Sequence, residues 1–185
     1  MNTHLTIEHT PNPNALKFVL NTRVIAEGNC TYTSIKESAD NPLAKAIFQV
    51  SNAITEVYFF DNFITVSQNG SADWDTIQEK IRTAITDKIG THDPHLAKNA
   101  SQNIKKVNDA DAALAQINAI LDARVRPALQ QDGGDLRVLS YENKTLKIFY
   151  QGACGSCPSA AMGTLNAIQN LLQSEFDPEI IVEKE

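Results

Sequence analysis

Between Gly90 and Ala112 the chain loses its apolar rhythm. Gly90-Thr91-His92-Asp93-Pro94-His95 opens a stretch rich in Asn, Lys, Ser and Asp, with few large apolar residues before Ala112. On either side, apolar residues recur at strand and helix periods. A polar stretch of this kind has little to bury, so it reads as a linker rather than as part of a core. The 185 residues therefore divide into two small domains, residues 1–90 and 111–185, joined by a linker over 91–110. A hydrophobic share of 42% is enough for packed cores in both.

Both halves read as α+β. In the first, Leu5–Ile7 and Leu16–Leu20 are strands separated by the turn Thr10-Pro11-Asn12-Pro13-Asn14. Asp40-Asn41-Pro42 signals a helix start, with either acid or amide able to cap and Pro42 suited to the first helical position. Leu43, Ala46, Ile47 and Val50 give that helix its apolar face. Ile54–Phe60 and Phe63–Ser67 form a hairpin around Asp61-Asn62, and Trp74, Ile77, Ile81, Ala84, Ile85 and Ile89 mark a second amphipathic helix. The second half follows the order α-β-β-α-β. A helical stripe from Leu114 to Leu129 is interrupted at Pro127, where a kink or restart is expected. Asp132-Gly133-Gly134-Asp135 ends the helix. Leu136–Tyr141 and Leu146–Tyr150 are strands linked by a hairpin, a helix carries Ala161, Leu165, Ile168 and Leu172, and Glu179–Val182 closes as a strand.

Charge and hydropathy exclude several functions. A net charge of −6 argues against a nucleic-acid-binding surface. The longest apolar runs, such as Val57–Phe60, are far too short to span a bilayer. The first residues form neither a secretory signal nor an Arg-rich leader, which favours a bacterial cytoplasm or, after removal of a transit peptide, a mitochondrial matrix. No hydrolytic triad, P-loop or dinucleotide fingerprint is present, and the absence of histidine from the second half removes the usual base for a cysteine nucleophile.

Of three cysteines, Cys154 and Cys157 sit together in Gly152-Ala153-Cys154-Gly155-Ser156-Cys157-Pro158, between the second strand and the second helix of the second half. Thiolate is the metal-binding form, and a helix start favours negative charge. Small neighbours let the backbone approach a bulky ligand, and loop amides are available as donors to it. A [4Fe–4S] cluster usually takes four Cys thiolates, and a structural zinc four N or S ligands. This half offers two cysteines and no histidine, so Cys154 and Cys157 make half a site. Two copies about a two-fold axis would complete it, and such a shared site on an exposed loop should be labile. The same pair also fits a dithiol–disulfide oxidoreductase or a zinc-bridged interaction module. Against thioredoxin-like chemistry, a hairpin rather than a βαβ unit precedes the pair, and only Pro178 offers a later proline.

Three motifs in order, Leu121–Pro127, Gln131-Asp132-Gly133-Gly134-Asp135 and Gly152–Pro158, closely resemble the NifU-like C-terminal domain of the Nfu family, from about Ala112 to Val182. Thr10–Phe18, Asn41–Ala44, Val57–Phe60 and Phe63–Val66 resemble the Nfu N-terminal domain, with a departure from the usual pattern at Ser38–Asn41. The resemblance implies a non-enzymatic scaffold or carrier holding a [4Fe–4S] cluster between the C-x-x-C pairs of a homodimer, with Cys154 and Cys157 as ligands. It also implies an upstream cluster donor, apoprotein targets, and a docking role for the N-terminal domain.

Other residues have plainer readings. Cys30 suits a small buried hydrophobe. His92 and His95 have H-x-x-H spacing but lie in the linker with Pro94, so a solvated pair is expected. Asp132 and Asp135 flank a glycine turn, Arg124 and Arg126 suit a solvated helix face, and Tyr58–Phe60 suit sheet core.

Overall fold

The computed structural model describes residues 3–95, 110–155 and 160–185. Ser156, Cys157, Pro158, the Ala161 side chain and most of the expected linker lie outside the described residues. The chain forms two compact units, Met1–Ile104 and Lys105–Glu185. No helix among the described residues is long and apolar enough to cross a membrane.

The first unit is one antiparallel sheet with two helices on one face. Strands β1 (Leu5–His9), β2 (Ala15–Leu20), β3 (Asn29–Tyr32), β4 (Ile54–Phe60) and β5 (Phe63–Gln68) lie in the order β1-β2-β5-β4-β3. Period-two alternation turns Leu16, Phe18 and Leu20, with Val57, Phe59, Ile64 and Val66, toward the helices. Helix α1 (Pro42–Phe48) presents Leu43, Ala44 and Ile47, and α2 (Trp74–Ile89) presents Ile77, Ile81, Ile85 and Ile89 at four-residue spacing. On the opposite face Lys17 lies 4.6 Å above the Phe63 ring, and Phe63 leans on Tyr58 and Phe60.

Short polar motifs hold these elements. The Asn41 side chain caps α1 by accepting from the Leu43 and Ala44 amides at 3.1 Å, and its Nδ2 donates to the Tyr32 hydroxyl at 3.1 Å. In the proline-rich turn, Asn12 Oδ1 accepts from Asn14 N, and the Pro13 carbonyl accepts from the Trp74 indole at 2.9 Å, tying the start of α2 to the β1–β2 connection. The β4–β5 turn places Asp61 at φ 41, and its carbonyl accepts from Val24 N at 2.6 Å.

Strand β3 is absent from the sequence reading. Only the brief alternation of Cys30 and Tyr32 inward with Asn29 and Thr31 outward marked it, and four residues are too few for periodicity to register. His92 also departs from expectation. Rather than standing in solvent, its Nε2 lies 2.7 Å from the Val24 carbonyl and its ring meets Phe59 edge-on, while Ala26 N donates to the Pro94 carbonyl. Residues 91–95 thus fold back on the first unit. Burial lowers the pKa of His92, only partly offset by the Val24 carbonyl and the Asp93 charge.

The second unit packs three helices on a three-stranded sheet. The helical stripe restarts as expected: α3 (Ala110–Arg124) gives way at Val125 to α4 (Arg126–Gln131), with Pro127 in its first turn. Strands β6 (Gly134–Glu142) and β7 (Thr145–Gly152) form a hairpin, and β8 (Ile181–Lys184) adds parallel to β7 after helix α5 (Ala160–Glu175). The hairpin turn is tighter than expected. Glu142 pairs with Thr145, leaving only Asn143 and Lys144, both at positive φ, outside the ladder. The last strand starts two residues late because Asp177 turns the chain, accepting from Glu179 N and Ile180 N. Ile117, Leu121, Leu129, Leu136, Leu146, Ile148, Ile168, Leu172 and Val182 fill the core.

Trp74 is the sole tryptophan and reports on the first unit. Asn41→Ala should lower the urea midpoint of its fluorescence transition, at a cost of about 1–2 kcal/mol; an unchanged midpoint would remove the cap from the account. Because folding depresses the His92 pKa, the unfolded chain takes up its proton first. Stability should therefore be complete above His92's ordinary value of about 6.5 and fall as pH drops below it. A His92→Gln variant should show a flatter pH dependence in the same assay.

Candidate functional site

The two glycines of the Asp132–Asp135 turn do different work. Gly133, at φ 81, reverses the chain out of α4, and its carbonyl accepts from Ala153 N at 3.1 Å. Gly134 opens β6 directly opposite Gly152, which closes β7 at φ 62. A Cβ on Gly134 would collide with Cys154 Sγ and stand 2.9 Å from both Cys154 N and the Gln151 carbonyl. The bare α-carbon is the seat of Cys154. The two sequence motifs, far apart along the chain, are one contact in space.

This seat corrects one expectation. Cys154 is only 6% exposed and belongs to the core of the unit rather than to an exposed loop. The space vacated at Gly134 draws it inward. The loop amides are also partly committed: besides Ala153 N, Gly155 N donates to the Gly152 carbonyl at 3.0 Å. Among the described residues, these two amides shape the loop.

Beneath the loop, Asp135 and Gln151 are paired in register and buried. Asp135 accepts from Leu136 N at 2.7 Å and from Gln130 Nε2 at 3.3 Å, so this acid is part of the framework that holds the turn. Tyr150, buried next to Cys154's loop, has its phenol pushed up to about 12, by burial first and then by the nearby Cys154. Lys184 of β8 donates to the Gly155 carbonyl at 3.3 Å and lies 5.6 Å from the Tyr150 ring centre. Neither Tyr150 nor Lys184 was singled out in the sequence. Both lie in ordinary strand patterns: Tyr150 is carried to the cysteine loop by β7 itself, and only the parallel pairing of β7 with β8 brings Lys184 beside it.

The other candidates are structural. Cys30 is buried against Tyr32, and burial raises its thiol pKa, so it is poorly suited to act as a thiolate. His92 turns into the first unit, and His95 N donates to Asp93 Oδ1, which leaves the H-x-x-H spacing without a common centre. Arg126 is not a freely solvated helix face: it pairs with Asp122 at 2.9 Å and donates to Asn118, bracing the α3–α4 junction, while Arg124 reaches Glu175 at 3.6 Å. Among the described residues no three His, Cys, Asp or Glu side chains gather as a metal site. Cys154 is therefore the described half of the candidate pair, with Cys157 outside the described residues.

Residues 5–92 match the family model for the scaffold protein Nfu/NifU N terminal, and residues 117–183 match that for the NifU-like domain. A Drosophila persimilis protein named NFU1 iron-sulfur cluster scaffold homolog, mitochondrial, is 39% identical over 178 residues, covering 94% of this chain and 61% of its own length. The protein of the same name from Drosophila willistoni is 36% identical over 176 residues, covering 94% and 60%. The chain thus spans about three-fifths of the length of these curated relatives. A solution structure of a NifU-like protein from Saccharomyces cerevisiae aligns with 54% of this chain and 91% of its own at 22% identity and a TM-score of 0.45. With both domain models matched in order, the chain belongs to the Nfu family of iron–sulfur cluster scaffold proteins.

Proposed function

We propose that this protein carries a [4Fe–4S] cluster between the Cys154 and Cys157 thiolates of two subunits, receives it from an upstream donor and delivers it to apoprotein targets. The observation that supports the reading is the seat of Cys154 against Gly134, which fixes its sulfur at the end of the β6–β7 ladder; with two cysteines and no histidine in this half of the sequence, one subunit offers two of the four donors. Two such loops supply the four thiolates that a cubane cluster takes. The chain's own residues bind and orient: Cys154 and Cys157 supply sulfur, while Gly133, Gly134 and Gly152 set the loop. We assign no catalytic step to the protein. Thiol ligands need a reducing compartment, and a bacterial cytoplasm or a mitochondrial matrix meets that need; the relatives' mitochondrial label favours the second. The N-terminal domain is proposed to dock targets.

The β6–β7 hairpin that leads into the pair, where a thioredoxin-like protein has a βαβ unit, favours this reading over the dithiol–disulfide alternative. Anaerobic reconstitution with iron and sulfide should give about four iron per dimer and a shift from monomer to dimer on size exclusion. Cys154→Ser and Cys157→Ser should each abolish both. A monomer holding a full cluster would end the bridging model, and a colourless protein with about one zinc per dimer would replace it with the zinc-bridged module.

Gly134→Ala tests the seat itself. The added methyl group meets Cys154 and the backbone beside it, so this variant should lose about 1–3 kcal/mol of second-unit stability and most of its bound iron. Gly163→Ala on α5, where a Cβ meets nothing within 4 Å, should bind iron normally. Equal iron content in the Gly134 variant and the wild type would separate the seat from cluster binding.

A further inference from the structure

Period two puts Lys184 on the helix-facing side of β8. Val182 is buried in the core, and Lys184, two residues on, shares its face, while Ile181 and Glu183 alternate to the other side. Register sets Lys184 beside Ile148 of β7, with Tyr150 two residues further along the same face toward the cysteine loop. From there the ammonium lies over the Tyr150 ring, 5.6 Å from its centre, and donates to the Gly155 carbonyl at 3.3 Å. A cation held over a ring and a charge-assisted bond to a carbonyl both restrict a side chain that otherwise samples many rotamers.

Among the described residues no other group donates to that carbonyl. The rest of the loop is held from β6 and β7. Gly134 seats Cys154, Ala153 N donates to the Gly133 carbonyl, and Gly155 N donates to the Gly152 carbonyl. Those contacts stop at the Gly155 amide. The Gly155 carbonyl opens the peptide unit that leads toward Cys157, two residues on. A peptide unit is planar, so a hold on its oxygen is a hold on the direction in which the chain leaves.

We propose that Lys184 is a positioning residue for the thiol pair: Gly134 fixes the first sulfur, and Lys184 fixes the course of the chain from it toward the second. This rests on the cluster-carrier reading above. Two donors of one subunit hold a shared cargo more tightly when their spacing is set before it arrives, because less ordering is left to binding. Lys184 thereby favours retention without being a ligand.

Lys184→Met keeps an unbranched stem and removes the ammonium, whereas Lys184→Arg keeps a cationic donor. In the iron-free protein, the Gly155 amide should exchange with solvent about tenfold faster in the Met variant, and Arg should restore most of the protection. The amides of Ile148 and Leu172, buried in the same unit, should exchange at the wild-type rate. After anaerobic reconstitution, iron release to a chelator should be about tenfold faster in the Met variant alone. Faster exchange at Ile148 and Leu172 as well would make Lys184 a general support of the fold and overturn the proposal. So would wild-type exchange at Gly155 or wild-type release in the Met variant, or an Arg variant no better than Met. Cluster uptake by the wild type is measured first: its failure overturns the carrier reading and this inference with it, whereas a loaded wild type beside an unaltered Met variant overturns this inference alone.

Discussion

The approach of β6 to the cysteine loop is the constraint on which the second unit depends. A β-ladder normally keeps side chains off the neighbouring backbone, but here the ladder ends on Gly134 facing Gly152, and Cys154 folds back over the bare position. Everything around it serves that approach. The α3–α4 restart, braced by Arg126, aims the chain at the turn. Gly133 reverses it at φ 81. Asp135, buried and paired with Gln151, accepts from Leu136 N and so satisfies a backbone donor at the tight strand end.

Most of this architecture was legible in the sequence because local chemistry and the final fold agree. Asn41-Pro42 is a helix start in any context, and the side chain caps as its type dictates. Isoleucines at four-residue spacing produced α2, and Pro127 took its place in the first turn of a helix restarted after Val125. What escaped was set by tertiary contacts. Strand β3 has too few residues to carry a period and exists because β4 offers an edge. His92 looks like linker composition but finds an acceptor at Val24, far away along the chain.

The site was half legible in the same sense. Thiol spacing and ligand number are properties of residue types, so Cys154 and Cys157 stood out, as did the glycine pair. That Gly134 exists for Cys154 is a statement about space, and no spacing rule encodes it. Tyr150 and Lys184 were invisible for a related reason. A tyrosine and a lysine in strands are ordinary, and only a parallel crossover through α5 sets them side by side.

That crossover also makes the cysteine loop depend on the far end of the unit. Lys184 follows Cys154 with all of α5 between them, so the Gly155 carbonyl gains this donor only when β8 has paired with β7. Fraying of that last short strand would therefore be felt at the loop, through a contact that the β6–β7 hairpin cannot replace.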